Sequence, residues 1–173
     1  MFNIKFILTI IGILFITKCN SQLIYEGNSE YSEHIKCTII GNKIYKENSS
    51  YSQDIIFTIQ SNKIFRGNSS YSQDVIFTIN NNKVYRGNLY SSTNIVATIK
   101  KWSDIGNNIK VRGYCIYKGN SSYSQDVIAT FTSENGRVYK GFTLYSDSYL
   151  FRTTEDLNES QIICILYYLN VIK

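Results

Sequence analysis

Ile64 to Lys83 reads I-F-R-G-N-S-S-Y-S-Q-D-V-I-F-T-I-N-N-N-K, and nearly the same string returns from Ile44 and again from Ile116. More divergent copies begin at Ile24, Val84 and Val138. Six copies of a unit of about 20 residues are an internal repeat, and a unit this short buries its apolar face only against its neighbours. Each copy holds a short apolar strand (Ile64-Phe65-Arg66), a polar loop from Gly67 to Asp74, and a longer β-branched strand from Val75 to Ile79. The polar loop is rich in Gly, Asn and Ser, the residues that break strands.

The breaks between copies are shorter still. Ser61-Asn62 and Asn81-Asn82 read as two-residue turns, and Gly41-Asn42 repeats the device with a glycine that accepts positive φ. A turn at 81 and 82 pairs Asn80 with Lys83, Ile79 with Val84, Thr78 with Tyr85 and Phe77 with Arg86. Alternation then assigns Val75, Phe77, Ile79 and Val84 to a core face, and Ile76, Thr78, Lys83 and Tyr85 to the opposite one. Twelve extra residues separate the fourth and fifth copies. Split six to a strand about Asn107-Asn108, they lengthen one hairpin (100–115, carrying Trp102) and leave every side chain on its face. Two extra residues before the sixth copy fit a four-residue loop, Ser133-Glu134-Asn135-Gly136, that keeps Phe131 opposite Val138. A two-residue Asn-Gly turn there would exchange the faces.

Past Thr153 the period changes. Asn158 with Gln161 is a capping signal, and Ile162, Ile165, Leu166, Leu169 and Ile172 recur at helical spacing. The expected fold is mainly β: six tandem β-hairpins in a curled or closed antiparallel array, with one C-terminal amphipathic α-helix over 154–173 as a cap on the end of the repeat domain, 22–153. The array opens on a short unpaired strand at Ile24 and ends on a long one at Tyr149, so a ring or barrel can close; a superhelical array is the other solution.

Met1 to Ile16 carries Lys5 followed by an apolar run from Phe6, too short for a membrane span and suited to an export signal cut after Ser21. Lipidation at Cys19 is the alternative processing. The expected setting is secreted, periplasmic or cell-surface, with no transmembrane span in the mature chain. Loss of Lys5 and Lys18 would lower the formal charge from +5 to +3. So mild a charge gives no general argument for nucleic acid. Cys37, Cys115 and Cys164 match no zinc spacing; in an oxidising compartment one pair could bridge, with the pairing open.

No nucleophile motif, phosphate loop or metal-ligand cluster is present, so no catalytic residue, metal site or cofactor is expected. The one histidine, His34, takes the place of Asp54, Asp74 and Asp126, a polar position suited to closing a turn onto backbone N–H groups. A His/carboxylate enzyme site is the remote alternative. Two aromatic rows recur. Tyr31, Tyr51, Tyr71, Tyr123 and Tyr145 share a loop position, read as rings folded back over the end of the core. Tyr45, Phe65, Tyr85, Tyr117 and Tyr139 share a strand position on the non-core face beside Lys63 and Lys83, and are the candidate ligand-binding row, since rings beside cations can stack on sugars and attract acidic groups. Lys46, Arg66, Arg86, Lys118 and Lys140 also recur, at the strand edge on the core side. Asn48, Asn68, Asn120 and Asn158 begin glycosylation sequons, which matter in a host with that pathway.

The unit I-Y-K-G-N-S-S-Y-S-Q-D-V-I resembles secreted bacterial tandem-repeat proteins built from 20-residue β-hairpins, over nearly all of the mature chain. Its S-x-Y-S-x-D segment is similar to the Tyr-Asp repeats of septoil-knot proteins. Neither resemblance implies an activity. The expectation is a non-enzymatic secreted or surface scaffold that binds a macromolecule through its β surface, with an extracellular polysaccharide or a surface protein as partner. A carbohydrate-binding module using the aromatic-basic strand row is the alternative.

Overall fold

The structure, a computed structural model, describes residues 21–101, 113–133 and 136–173. Its strands are β1 (Ser21–Glu26), β2 (Ile35–Ile40), β3 (Lys43–Lys46), β4 (Ile55–Gln60), β5 (Lys63–Arg66), β6 (Val75–Asn80), β7 (Lys83–Arg86), β8 (Ile95–Lys101), β9 (Gly113–Lys118), β10 (Val127–Thr132), β11 (Arg137–Lys140) and β12 (Tyr149–Thr153). All pair antiparallel with their sequence neighbours, and β12 returns to β1, closing a barrel. Ile24 stands opposite Thr153 and Glu26 opposite Phe151, so the first and last strands complete one more hairpin-like pair and no edge is left, although β1, at six residues, is longer than the short strand expected there and β12 has five. Closure, rather than a superhelix, is the outcome.

The tight turns hold the register that the sequence predicts. Gln60 faces Lys63 and Asn80 faces Lys83; Ser61, Asn81 and Asn82 take the left-handed φ values of 53°, 48° and 61° that such turns require. Ile79 faces Val84, Thr78 faces Tyr85 and Phe77 faces Arg86. Ile99 faces Ile116 across the long hairpin, whose Asn107-Asn108 turn and Trp102 lie outside the described residues, as does the leader through residue 20. Phe131 faces Val138; Glu134 and Asn135 of the intervening loop are also outside the described residues. At Gly136 the backbone is left-handed and any Cβ would collide with the carbonyl oxygen of Thr153, so only glycine lets β11 approach β12 here.

Alternation mis-assigns two neighbouring residues at the start of the long strand. Ile64 faces Phe77 but Phe65 faces Val75, so Ile76 is an extra residue in a one-residue bulge, repeated at Ile44/Tyr45 and Val84/Tyr85. Val75 therefore lies on the outer face with Phe65, while Ile76 joins Phe77 in the core. That reverses the assignment expected for this pair. The outer face is covered by the loops: Gly67 turns outward with φ 59° and its carbonyl accepts a hydrogen bond from Thr58 Oγ1 at 2.7 Å, and Thr78 does the same to Gly87.

The second departure is the helix. α1 (Glu159–Tyr168) starts with the expected capping box between Asn158 and Gln161. It is not a lid on the barrel's end. Ile162, Ile163, Cys164, Ile165 and Leu166 are all fully buried, in one cluster with Ile24, Ile44, Ile64, Val84, Ile116 and Val138 from the short strands around the barrel. The helix fills the lumen. Eight strands enclose a space that side chains alone can fill; twelve leave room for a helix about 10 Å across. Five successive apolar residues give this helix no polar face, and a helix apolar all round is a buried one. Among the described residues no helix is long and apolar enough to cross a membrane.

Candidate functional site

Three of the loops are tied by the same short circuit. Ser69 Oγ donates to Asp74 Oδ2 at 2.5 Å and accepts from the Tyr71 N–H at 3.1 Å, while the Asp74 N–H donates to the Tyr71 carbonyl at 2.9 Å. Ser49, Tyr51 and Asp54 repeat it, as do Ser121, Tyr123 and Asp126. In the first loop His34 stands in for the aspartate and its Nδ1 lies 2.6 Å from Ser29 Oγ. The recurring Asp/His position thus closes the turn, but through a serine hydroxyl that in turn holds a backbone N–H. Its carboxylates are committed to the loop.

Five tyrosines share one backbone conformation, φ between −80° and −86° and ψ between 139° and 147°: Tyr51, Tyr71 and Tyr123 within the Ser-Asp circuit, Tyr31 beside the Ser29-His34 pair, and Tyr145, whose N–H donates to Thr143 Oγ1 and whose carbonyl accepts from Ser148 Oγ. Their side chains are 68–77% exposed. They were expected to fold back over the core. The loops contain no apolar residue for them to fold against in the Ser-Ser-Tyr-Ser-Gln-Asp copies, and that composition was the available signal. The fourth loop differs: Ser91 takes the position, and Tyr90, one place earlier, packs edge-on to Tyr85 at 5.4 Å and accepts a hydrogen bond from Asn62.

The strand row is corrected in the opposite direction. Tyr45, Phe65, Tyr117 and Tyr139 do lie on the outer face, yet they are only 3–8% exposed, and Tyr85 is half-buried. The loops that turn outward at Gly67 and its equivalents cover them, so they are not stacking platforms. Lys63 and Lys83 are half-buried at the opposite, turn end of the strands. Lys100 Nζ sits 5.5 Å from the centre of the Tyr117 ring, so a cation-aromatic contact is made within the protein here, by a lysine other than the expected Lys63 and Lys83. Burial pushes the Tyr117 hydroxyl above its usual range, helped by the neighbouring Cys115.

The basic row forms a ring. Lys46 faces Cys37, Arg66 faces Phe57, Arg86 faces Phe77, Lys118 faces Ala97 and Lys140 faces Ala129. Every partner points into the lumen, so the five cations stand on the lumen side at the mouth from which the loops spring, and all five are exposed. The end of the plug emerges among them: Arg86 donates to the Lys173 carbonyl, and Lys140 lines a groove of about 470 Å³ with Asn170 and Val171. Between the first two loops, Lys46 and Tyr51 line a second groove of about 490 Å³ with Glu33, Glu47 and Asp54. Tyrosine and cation therefore share one end of the barrel.

Reactive groups are poorly placed. Burial pushes the Cys37 thiol up to about 12 and the Cys115 thiol up to about 11, and raises Cys164 as well; all three are free and buried. Among the described residues no three His, Cys, Asp or Glu side chains come together as a metal site.

Twelve antiparallel strands from six hairpins, closed on themselves, define the architecture to which the sequence can be compared. Residues 13–107, more than half of the chain, match the family model described as 6-fold beta flower protein. The chain belongs to this family. The family is a tandem β-hairpin repeat scaffold, and in this chain the loop recurs six times, the exposed loop tyrosine five times and the ring cation five times. No curated protein and no solved structure matches the chain.

Proposed function

We propose that this β flower protein is a non-enzymatic binding scaffold, exported from the cell, that contacts a macromolecule through the loops at one end of its barrel. The observation that carries the reading is the five-fold presentation of an exposed tyrosine in a single backbone conformation. Tyrosine supplies a large amphipathic contact area while freezing few rotors on binding, and Ser, Gly and Asn around it supply adaptable hydrogen bonds; antibody loops use this same composition. The Ser-Asp circuit pre-organises three of these loops, which lowers the ordering cost of association. The apolar run from Phe6 to Ile16 supports export.

The test is a triple variant, Tyr51→Ser/Tyr71→Ser/Tyr123→Ser, compared with wild type on an array of neutral and acidic glycans. Wild type is expected to retain a subset of glycans and the variant to bind them at least ten-fold more weakly at an unchanged melting temperature. Equal binding by the two proteins overturns the loop reading. Shortening or chemical change of a retained glycan during incubation overturns the non-enzymatic one.

A further inference from the structure

We infer that the loop end of the barrel recognises an acidic polysaccharide, with the ring Lys46, Arg66, Arg86, Lys118 and Lys140 holding its charged groups and the loop tyrosines stacking on its sugar rings. This deepens the reading above and rests on it.

Three observations support the choice. The first is unbalanced charge. No carboxylate stands within ion-pair distance of Arg66, Lys118 or Lys140 among the described residues; Lys46 alone has one, Glu47 at 3.6 Å, and Glu26, which takes the first copy's place in the ring, is spent on Lys36 at 2.9 Å. The end of α1 reaches this mouth, where its Lys173 carbonyl accepts from Arg86, but a helix C-terminus offers only about half a unit of negative charge, and the loop carboxylates Asp54, Asp74 and Asp126 are turned to their own serines, outside ion-pair distance of the ring. An anion from outside fits the remainder.

The second is repetition. Chemically equivalent weak sites set around a ring gain most from a ligand that repeats too, because each contact after the first is made at high effective concentration. A polymer carrying one charge per sugar or per few sugars meets that description. The third observation separates this partner from nucleic acid. Three residues beyond three of the exposed tyrosines stands an aspartate, Asp54, Asp74 or Asp126. These carboxylates repel any polyanion, but the hydroxyls of a polysaccharide can donate hydrogen bonds to them in compensation, which a phosphate backbone cannot.

The experiment measures binding of the full chain to polygalacturonate, to heparin, to fully methyl-esterified polygalacturonate and to a single-stranded oligonucleotide, by calorimetry at low and moderate salt. Wild type is expected to bind at least one of the two acidic polymers, at least ten-fold more tightly than the esterified one, with affinity falling as salt rises. Arg66→Gln/Lys118→Gln should lose at least ten-fold; Lys43→Gln/Lys101→Gln, which removes equal charge at the turn end, should lose less than two-fold, both with native melting behaviour. Equal loss in the two double variants means unspecific attraction and overturns the inference. So does tighter binding of the oligonucleotide, or failure of both acidic polymers to bind. Tyrosine-dependent binding of the esterified polymer at full strength sinks the acidic preference while leaving the loop reading standing.

Discussion

The two faces of the barrel are buried by different partners, and the six copies diverge where one partner is and agree where the other is. On the outer face the middle of the long strand is Thr38, Thr58, Thr78, Thr98 and Thr130 in turn, each giving its hydroxyl to the carbonyl of the residue that starts the covering loop at 2.7–2.8 Å. In the sixth copy Arg152 replaces the threonine and pairs with Glu30 across the seam where the barrel closes. One position earlier, on the inner face, the residues are Cys37, Phe57, Phe77, Ala97, Ala129 and Phe151. The outer positions meet a loop of their own copy type, so one solution serves almost every time. The inner ones meet α1, which has no sixfold symmetry. Tyr167 packs against Phe57 at 5.9 Å and edge-on against Phe77 at 5.0 Å, and smaller residues stand elsewhere around the helix. A symmetric wall accommodates an asymmetric plug by varying one residue per copy.

The comparison breaks most completely at the plug. Ile163→Asp places an unpaired carboxylate in a lumen without compensating partners, a cost of several kcal/mol that is a large part of a domain's total stability; loss of the cooperative thermal transition is expected, and a native-like melt would show that the helix can leave the barrel. Phe77→Ala should cost about 3–5 kcal/mol by chemical denaturation, since helix and wall are both too constrained to close the cavity. Ala97→Phe copies a neighbouring repeat into a position facing the helix and should still destabilise, by about 1–3 kcal/mol from overpacking. Neutrality there would mean that the inner positions are interchangeable and the asymmetry incidental. On the outer face Thr78→Val removes one buried hydroxyl bond, worth about 1–2 kcal/mol, and the same change at Thr58 should cost the same within error.

Strand pairing, turns and the six-fold count were legible because each is decided by neighbours in sequence: a two-residue Asn turn determines which residues face each other, and even insertions preserve the faces. The bulge was not legible, because Val75-Ile76-Phe77 is apolar at every position and alternation has no polar residue to mark the slip. The placement of α1 was readable in part. Its cap was found at Asn158, but the run Ile162 to Leu166 has no polar face, and weighing that run above the spacing of Ile162, Ile165 and Leu169 points to the lumen rather than to a lid. For the candidate site the error had one source. Whether the strand rings or the loop rings meet solvent depends on where the loops lie, and Gly67 and its equivalents, which turn them over the strands, differ from an ordinary turn glycine only in three dimensions.

The smallest expected effect has the opposite sign from the rest. The residue that turns each loop outward is glycine in five copies, with φ between 55° and 72° at Gly27, Gly67, Gly87, Gly119 and Gly141, but in the second copy it is Glu47 at φ 51°. A Cβ in the left-handed region costs about 1 kcal/mol. Against that strain stands an exposed ion pair with Lys46, worth between nothing and about 1 kcal/mol, and Glu47 keeps the carbonyl that accepts from Thr38 whatever its side chain. Glu47→Gly should therefore stabilise the protein by up to about 1 kcal/mol, with the larger gain at high salt, where the ion pair it removes is screened. Gly67→Glu is the reciprocal change and should destabilise by the same backbone strain, less whatever exposed pair the new carboxylate forms with Arg66. If both substitutions lower the melting temperature equally, the outward turn is not governed by backbone strain, and the uniformity of the outer face rests on the threonine bonds alone.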